Sequence, residues 1–197
     1  MGLDLPGMEF TGYIFEGNFE KNNTDRTDEM IRESVEKYCT LHGLNVPAGD
    51  IVRLENGKPY IEGSPVEFNV SHSGEMAIVV VGEAPCGVDL QVMEVRNHKA
   101  IAKKLFTQNE QDFVEKYGLE GFFRVWVHRE AFGKLIGDGL FGAMPEFIDE
   151  KGFPKIEVSS GEGENLRKAY IRDIPVAPDI FLAFATFGED DTLEFSI

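Results

Sequence analysis

Cysteine, basic residues and long apolar runs are all scarce in this sequence. The 197 residues include only two cysteines, Cys39 and Cys86. Neither lies in a Cys-x-x-Cys pair or has the spacing of a zinc site, so we expect two buried thiols. No stretch approaches the ~20 apolar residues that cross a bilayer, and the beginning of the chain lacks the basic and apolar segments of a signal peptide. These features favour a cytoplasmic protein.

The shortage of basic residues gives the chain a strong negative charge. There are 35 acidic residues against 19 basic ones, which leaves a formal net charge of −16. Such a charge repels the phosphates of nucleic acids and of anionic membranes, so we expect the protein to bind neither. It is compatible with a local basic pocket for a phosphorylated ligand. An acidic partner would meet the protein slowly unless basic residues are grouped at the docking face.

The apolar content is sufficient for a folded core. Hydrophobic residues make up 42% of the chain, with 16 phenylalanines, and the length suits one domain or two small ones. The order of the predicted elements, helix then strands, occurs twice and suggests two lobes that share an interface. Periodicity predicts helices that end near His42 and that cover 98–105, 107–117 and 120–136. Alternation and turn residues predict strands at 51–54, 66–70, 76–81, 86–93, 155–158, 169–174 and 180–186.

A polar segment follows the strand predicted at 66–70. Ser71, His72 and Ser73 precede Gly74 in a stretch with the composition of a tight turn. Exposed turn amides, hydroxyls and an imidazole can together hold phosphate oxygens. The segment therefore indicates a phosphate-binding turn, with an ordinary solvated turn as the alternative.

The strand predicted at 86–93 carries an aspartate among apolar residues. Alternation along a strand places Gly87, Asp89 and Gln91 on one face. An ionised side chain in such a strand is costly unless it is paired, hydrogen-bonded or bound to a metal. Asp89 and Gln91 would lie ~7 Å apart, and oxygen ligands in that arrangement suit Mg²⁺. A buried aspartate that accepts hydrogen bonds from backbone amides is the alternative.

Two further clusters belong to the predicted helices. Trp126, Glu130 and Lys134 share one helix face because they are spaced four residues apart. The simplest explanation of this row is a surface Glu–Lys pair, and a functional row is the alternative. Thr107 and Glu110 have the spacing of a capping box, which accounts for both residues and does not exclude a catalytic role for Glu110.

The clusters form an ordered series of motifs along the chain. The series comprises Gly57-Lys58-Pro59, Phe68-Asn69-Val70-Ser71-His72-Ser73, Gly87-Val88-Asp89, Phe106-Thr107 with Glu110, and Trp126 with Arg129-Glu130-Ala131 and Lys134. Together these motifs resemble the signature of the Sfp-type 4'-phosphopantetheinyl transferases, from about residue 51 to about residue 140. The resemblance implies an α+β fold, a pseudo-dimer of two similar lobes, each with a long helix packed on a small, mainly antiparallel sheet. The lobes would be residues 1–93 and 94–197, with the active site in the cleft between them.

The resemblance also implies a reaction, a co-substrate and a metal. Members of the family transfer the 4'-phosphopantetheine group of coenzyme A to a serine of an apo carrier protein, acyl or peptidyl, and release 3',5'-ADP. Mg²⁺ binds with coenzyme A in the cleft. Because the two lobes of one chain supply the whole cleft, we expect a monomer.

The family motifs imply roles for individual residues. Asp89 and Glu130 are implied as carboxylate ligands of Mg²⁺, with Gln91 as a third candidate at a position where the family usually has Glu. Lys134 would protonate the leaving group, and either Glu110 or Glu130 would help to deprotonate the attacking serine. The residues implied in binding coenzyme A are Lys58, Ser71, His72, Arg53 and Lys134.

Two departures from the family pattern motivate other hypotheses. Gln91 carries no charge, which predicts a raised magnesium requirement, and Arg129 stands where a lysine is usual. A non-catalytic relative that binds coenzyme A or a carrier protein is therefore the main alternative, and an unrelated Mg²⁺-dependent phosphoesterase is a second. Arg26, Arg32 and Arg53 are all candidates for binding the 3'-phosphate of coenzyme A, and the sequence does not choose among them.

Overall fold

The computed structural model describes residues 7–17, 19, 24–95, 97–137, 139, 144–161 and 166–196. Within these residues the chain forms three helices and ten strands. The helices are α1 (Thr24–His42), α2 (His98–Leu105) and α3 (Gln108–Ile136). The strands are β1 (Glu9–Glu16), β2 (Ile51–Arg53), β3 (Pro59–Ile61), β4 (Glu67–Ser73), β5 (Met76–Gly82), β6 (Cys86–Val92), β7 (Glu157–Ser160), β8 (Arg167–Asp173), β9 (Ile180–Thr186) and β10 (Thr192–Ser196).

The first four-stranded sheet has the order β10-β1-β5-β4 and packs against α1. Its strands pair in antiparallel fashion, except that β10 runs parallel to β1. Strand β5 is apolar along its whole length because both of its faces are covered. Val79 and Val81 face α1, where they contact the cluster of Ile31 and Val35, whereas Ile78 packs on the other side of the sheet.

The second four-stranded sheet has the order β6-β9-β8-β7, is antiparallel throughout, and packs against α3. Val127, Ala131 and Leu135 of α3 are spaced four residues apart and pack with the sheet residues Ala183 and Ala185. Each long helix thus covers one small, mainly antiparallel sheet. The α+β class predicted from the sequence is confirmed.

Polar side chains of β4 connect the first sheet to the second. Strands β4 and β6 lie side by side, but side chains take the place of a backbone ladder between them. Alternate residues of β4 point toward β6, and each accepts a hydrogen bond from an alternate backbone N–H of β6. The donor and acceptor pairs are Val88 to Asn69 (3.1 Å), Leu90 to Ser71 (3.0 Å) and Val92 to Ser73 (3.0 Å).

This ladder explains one wrong sequence prediction. A turn was expected from Ser71 to Gly74, but β4 continues through Ser73, and the reversal occurs at Gly74, where φ is +59°. Ser71 pairs in register with Ile78 of β5, and His72 pairs with Ala77. Serines occupy these positions because their hydroxyls accept hydrogen bonds from β6. The segment therefore has the composition of a turn, although its backbone is extended.

The helices of the C-terminal half match the predictions. The helix predicted at 98–105 is confirmed as α2. The two helices predicted at 107–117 and 120–136 are the two parts of α3, which meet at a kink at Gly118, where the backbone is not helical (φ +64°, ψ −135°). Thr107 and Glu110 form the predicted capping box at the start of this helix. Strand β10 was not predicted.

The two-lobe division at residues 93 and 94 stays a prediction. Strand pairings cross this division in both directions, because β6 pairs with β9 and β10 pairs with β1. Cys39 and Cys86 are free and buried, as expected. Burial raises the pKa of the Cys86 thiol to about 12. No helix in the described part of the chain is long and apolar enough to span a membrane.

Candidate functional site

A cavity of about 540 Å³ lies where α1, the β2–β3 hairpin, β4, β6 and α3 meet. Six elements from distant parts of the chain therefore contribute to one cavity. Most of the lining side chains are polar or charged, which distinguishes the cavity from the apolar cores on either side. The lining residues are Thr24, Thr27, Arg53, Gly57, Pro59, Val70, Ser71, His72, Asp89, Gln91, Glu130 and Lys134.

Gly87 allows α3 to approach β6 closely beside this cavity. A Cβ atom added at Gly87 would lie 2.0 Å from the carbonyl oxygen of Ala131, which no side chain could tolerate. Alternation along β6 then turns Asp89 toward the same side as Gly87. The close packing brings Lys134, one turn after Ala131, into direct contact with Asp89.

Asp89 is almost fully buried and accepts three side-chain hydrogen bonds. The Ser71 hydroxyl donates to Oδ1 (2.8 Å), and the Gln91 amide nitrogen donates to Oδ2 (3.1 Å). The Lys134 ammonium also donates to Oδ1 (2.7 Å) and forms an ion pair with it. These partners satisfy the carboxylate that the sequence placed in an apolar strand, where an unpaired charge would be costly.

Lys134 bridges α3 and two strands. Besides Asp89, its ammonium donates to the carbonyl oxygen of Val88 (2.9 Å) and more weakly to that of Val70 (3.5 Å). The simplest explanation for the shared helix face of Glu130 and Lys134 was a surface ion pair between them. Lys134 instead pairs with Asp89. The lysine turns toward β6 and contributes its positive charge to the cavity.

Glu130 lines the same cavity and is half-buried. Burial raises the pKa of its carboxyl above the usual value, the negative charge of Asp89 raises it further, and the positive charge of Lys134 opposes both effects. The two carboxylates therefore repel each other electrostatically. A cation placed between them, or a proton on Glu130, would relieve this repulsion.

The donor set at this position suits a small, hard cation. Carboxylate oxygens from Asp89 and Glu130 and the amide oxygen of Gln91 are the ligand types that Mg²⁺ prefers. Among the described residues, no group of three or more His, Cys, Asp or Glu side chains could hold a metal ion. The site thus offers two carboxylates and an amide, and the amide stands where the family motif has a third carboxylate.

Several residues predicted to bind coenzyme A meet at this cavity. His72 is exposed and lines it, and Arg53 lines it while forming an ion pair with Asp28 of α1 (2.6 Å). Lys58 lines a neighbouring cavity of about 380 Å³ that shares residues with the first. Ser71 lines the main cavity, but its hydroxyl already bonds Asp89 and the β6 backbone. The binding roles of these residues stay predictions.

The three arginines considered for binding the 3'-phosphate of coenzyme A differ in their location relative to the cavity. Arg53 is among the cavity-lining residues, whereas Arg26 and Arg32 are not. Arg26 pairs with Glu29 on the surface of α1, and Arg32 donates to the carbonyl oxygen of Gly49. Of the three, Arg53 is therefore the candidate that the structure brings to the cavity.

Glu110 is not brought to the cavity. Its side chain has no solvent exposure, and its carboxylate accepts hydrogen bonds from the backbone N–H groups of Thr107 (2.9 Å) and Phe147 (3.0 Å). Arg129 donates to the same carboxylate (2.9 Å). The location gives Glu110 a structural role, because it ties the start of α3 to the segment at Phe147. The general-base role predicted for Glu110 is not supported by this position.

Two lining residues were missed in the sequence. Thr24 and Thr27 lie in the first turn of α1 and face the cavity. Hydroxyl groups beside the free N–H groups of a helix N-terminus are a common setting for binding anions. The pattern of two threonines at the start of a predicted helix was available as a signal. It is informative only once the helix is known to begin beside the other polar residues.

Comparison with known proteins identifies the class of protein that this fold and site define. Residues 85–178 match the model of the 4'-phosphopantetheinyl transferase superfamily. This segment contains Asp89, Gln91, Glu130 and Lys134, the charged and polar residues that β6 and α3 contribute to the cavity. The chain belongs to this superfamily, as its relatives also show.

Three relatives are named 4'-phosphopantetheinyl transferases. A Bacillus subtilis protein is 31% identical over 167 residues, which cover 79% of this chain and 72% of the relative. The transferase Sfp of Bacillus subtilis strain 168 is 30% identical over 186 residues, covering 89% of this chain and 81% of Sfp. The transferase gsp of Aneurinibacillus migulanus is 27% identical over 136 residues, 66% of this chain and 56% of gsp. The resemblance inferred from the motifs is confirmed.

Proposed function

We propose that this protein transfers the 4'-phosphopantetheine group of coenzyme A to a serine of an apo carrier protein and releases 3',5'-ADP. The observation that carries the proposal is the meeting of Asp89, Glu130 and Lys134 at one cavity. These residues come from β6 and α3, which the chain packs together at Gly87. They lie inside the segment that matches the family.

We propose Mg²⁺ as the metal, held by Asp89 and Glu130 with Gln91 as a further oxygen donor. The bound ion would neutralise the negative charge of the coenzyme A pyrophosphate. The repulsion between the two carboxylates, which helps raise the pKa of Glu130, supports a cation at this position. The missing third carboxylate supports a raised magnesium requirement.

The protein groups around the cavity can move the two protons that the transfer requires. The serine oxygen attacks the β-phosphorus of coenzyme A, and the bond from that phosphorus to the bridging oxygen breaks. Glu130 lines the cavity, so it takes the serine proton directly or through a water. Lys134 contacts the same cavity with its ammonium and gives a proton to the departing phosphate.

Basic residues at the edge of the cavity hold the remaining charges of coenzyme A. Arg53 and His72 line the cavity, and Lys58 lines the neighbouring one. The first turn of α1, with Thr24 and Thr27, offers helix N–H groups and hydroxyls to a phosphate. These groups supply local positive potential within a chain whose net charge is −16.

The test is to incubate the protein with coenzyme A, Mg²⁺ and a panel of apo acyl and peptidyl carriers, and to measure intact carrier masses. Addition of the phosphopantetheine mass to a carrier, with one 3',5'-ADP formed per addition, is expected. Binding of coenzyme A without any mass change would favour the non-catalytic alternative. Release of 3',5'-ADP in the absence of a carrier would favour a phosphoesterase.

We further propose a cytoplasmic monomer that binds neither nucleic acid nor membrane surfaces. The negative charge supports the last two points, because phosphate-rich surfaces would repel the protein. Two buried, unpaired thiols are in keeping with a reducing compartment. The carrier and its pathway are not specified by the site.

A further inference from the structure

The β2–β3 hairpin is a separate two-stranded sheet at the edge of the cavity. It pairs with neither of the four-stranded sheets. Its first strand carries Arg53, and its turn is followed by Lys58. Both residues are proposed ligands of coenzyme A, so the position of this hairpin determines where two positive charges lie. A hairpin this small needs anchors to other elements if it is to hold such charges in place.

The open end of the hairpin is anchored by Ile51 and Ile61, which pack in the core beneath α1. Two polar contacts hold its turn end, where Arg53 pairs with Asp28 of α1. At the turn, the side-chain nitrogen of Asn56 donates to the carbonyl oxygen of Gly137 (2.7 Å), the residue that ends α3. Among the described residues, this is the hydrogen bond that joins the hairpin to the C-terminal end of α3. The turn is thereby tied to the helix that carries Glu130 and Lys134.

Both the oxygen and the nitrogen of the Asn56 side-chain amide form hydrogen bonds. Its oxygen accepts from the backbone N–H of Lys58 (3.0 Å), which fixes the local turn. Its nitrogen donates to Gly137, and carbonyl groups at a helix C-terminus lack partners within the helix. An aspartate could replace only the first of these bonds, because an ionised carboxylate has no donor. The two bonds can therefore be separated by substitution.

We propose that Asn56 is a positioning residue for coenzyme A, which fixes Lys58 against α3 by bonding Gly137. This inference rests on the proposed function, since it assigns Lys58 to coenzyme A. The cavity that Lys58 lines also includes Asn56 and Gly137, so the bond spans one wall of that cavity. Losing the bond would let the turn swing away, and coenzyme A would then have to order it on binding.

The test compares Asn56→Asp with Asn56→Ala and, as a control on the same turn, Glu55→Gln. Asn56→Asp should raise the KM for coenzyme A about three- to tenfold, as expected for one lost hydrogen bond. The kcat and the KM for the carrier should stay within about twofold, since the reacting groups are untouched. Asn56→Ala should raise the KM for coenzyme A at least as much, and Glu55→Gln should leave it unchanged.

A double variant separates positioning from a general structural effect. If Asn56 acts through Lys58, adding Asn56→Asp to Lys58→Ala should not raise the KM for coenzyme A further. The inference would be overturned if the KM of the double variant rose by the product of the two single-variant fold-changes. It would also be overturned if Asn56→Asp left the KM for coenzyme A unchanged. Melting temperatures of all variants show whether each is folded, and calorimetric dissociation constants for coenzyme A repeat the comparison without turnover. A wild-type protein that binds coenzyme A but transfers nothing would refute the proposed function alone, and these dissociation constants would then decide the inference.

Discussion

The ammonium of Lys134 lies 2.7 Å from Oδ1 of Asp89 and 2.9 Å from the carbonyl oxygen of Val88. This contact joins the long helix α3 to the strand β6. It places one positive charge beside the two carboxylates of the cavity, Asp89 and Glu130. The packing of α3 on β6 and the chemistry proposed for the cavity therefore depend on the same side chain.

Replacing Lys134 by methionine should reduce both stability and transfer. Asp89 would remain nearly buried without its ionic partner, which should lower the free energy of unfolding by about 2–3 kcal/mol. The figure is below that for a fully buried pair because the Lys134 side chain is 27% exposed. Transfer should fall about 100-fold or more if the lysine protonates the leaving group. Urea unfolding and single-turnover rates measure the two effects.

Lys168→Met is the matched control for this substitution. Lys168 also pairs with a carboxylate, that of Glu157, but both side chains are about half exposed. Exposed pairs contribute little to stability, and neither Lys168 nor Glu157 lines the cavity. Unchanged stability and transfer are expected. Equal losses in the Lys134 and Lys168 variants would contradict the role given to Lys134.

Ser71→Ala should destabilise the connection between the two sheets. The hydroxyl of Ser71 accepts from the backbone N–H of Leu90 and donates to Asp89, and all three groups are buried. Leaving a buried N–H unpaired should lower the free energy of unfolding by about 1–3 kcal/mol. Ser73→Ala removes the equivalent bond to Val92 at a half-buried position and should cost less. Denaturant unfolding of both variants gives the comparison, and a larger loss at Ser73 would be inconsistent with the ladder.

Gln91→Glu should lower the magnesium concentration needed for transfer. The Gln91 nitrogen now donates to Asp89 (3.1 Å), and a glutamate there would bring a third negative oxygen ligand to the site instead. Half-maximal rates in a Mg²⁺ titration measure the change. Gln108→Glu, an exposed substitution at the start of α3, should leave the titration as it is. If Gln91→Glu also leaves it unchanged, the predicted weakness of the magnesium site is wrong.

Glu130→Gln should stabilise the magnesium-free protein at neutral pH. Burial, followed by the charge of Asp89, raises the pKa of Glu130 above 4.5 in the folded state. The native state therefore binds this proton more tightly than the unfolded chain, and stability falls as the pH rises through the window above 4.5. Glutamine does not ionise, so the variant keeps the stability that wild type loses as Glu130 ionises. The variant should therefore be more stable than wild type at pH 7, and the difference should disappear as the pH falls below the pKa of Glu130 in the unfolded chain. Melting temperatures across pH in the presence of EDTA test the sign, and a variant less stable than wild type at pH 7 would contradict it.

The sequence was sufficient to predict much of the candidate site. Alternation along β6 placed Asp89 and Gln91 on one face of the strand. Helical spacing placed Glu130 and Lys134 on one face of α3, and all four residues line the cavity. The family motifs then brought these two faces together. Such predictions succeed because they depend on the local periods of strands and helices, which the residue pattern records directly.

Features that depend on distant pairing were not predictable. Strand β10 pairs in parallel with β1 from the other end of the chain, and no local pattern encodes that partner. Ser71 is extended because its backbone pairs with Ile78 of β5, and a serine suits this position because its hydroxyl bonds the distant Leu90, so the segment resembled a turn. The family resemblance implied a catalytic role for Glu110, and the local capping box did not exclude one, whereas in the fold Arg129 and the segment at Phe147 bond its carboxylate.

A crystal structure of the protein with coenzyme A and Mg²⁺ tests the proposed active site most directly. Electron density for one ion, coordinated by Asp89 and Glu130 and in contact with the pyrophosphate of coenzyme A, is the predicted result. Lys134 should then lie within hydrogen-bonding distance of the same pyrophosphate. An ion bound by neither carboxylate, or a pyrophosphate outside the cavity between β6 and α3, would contradict the proposed active site.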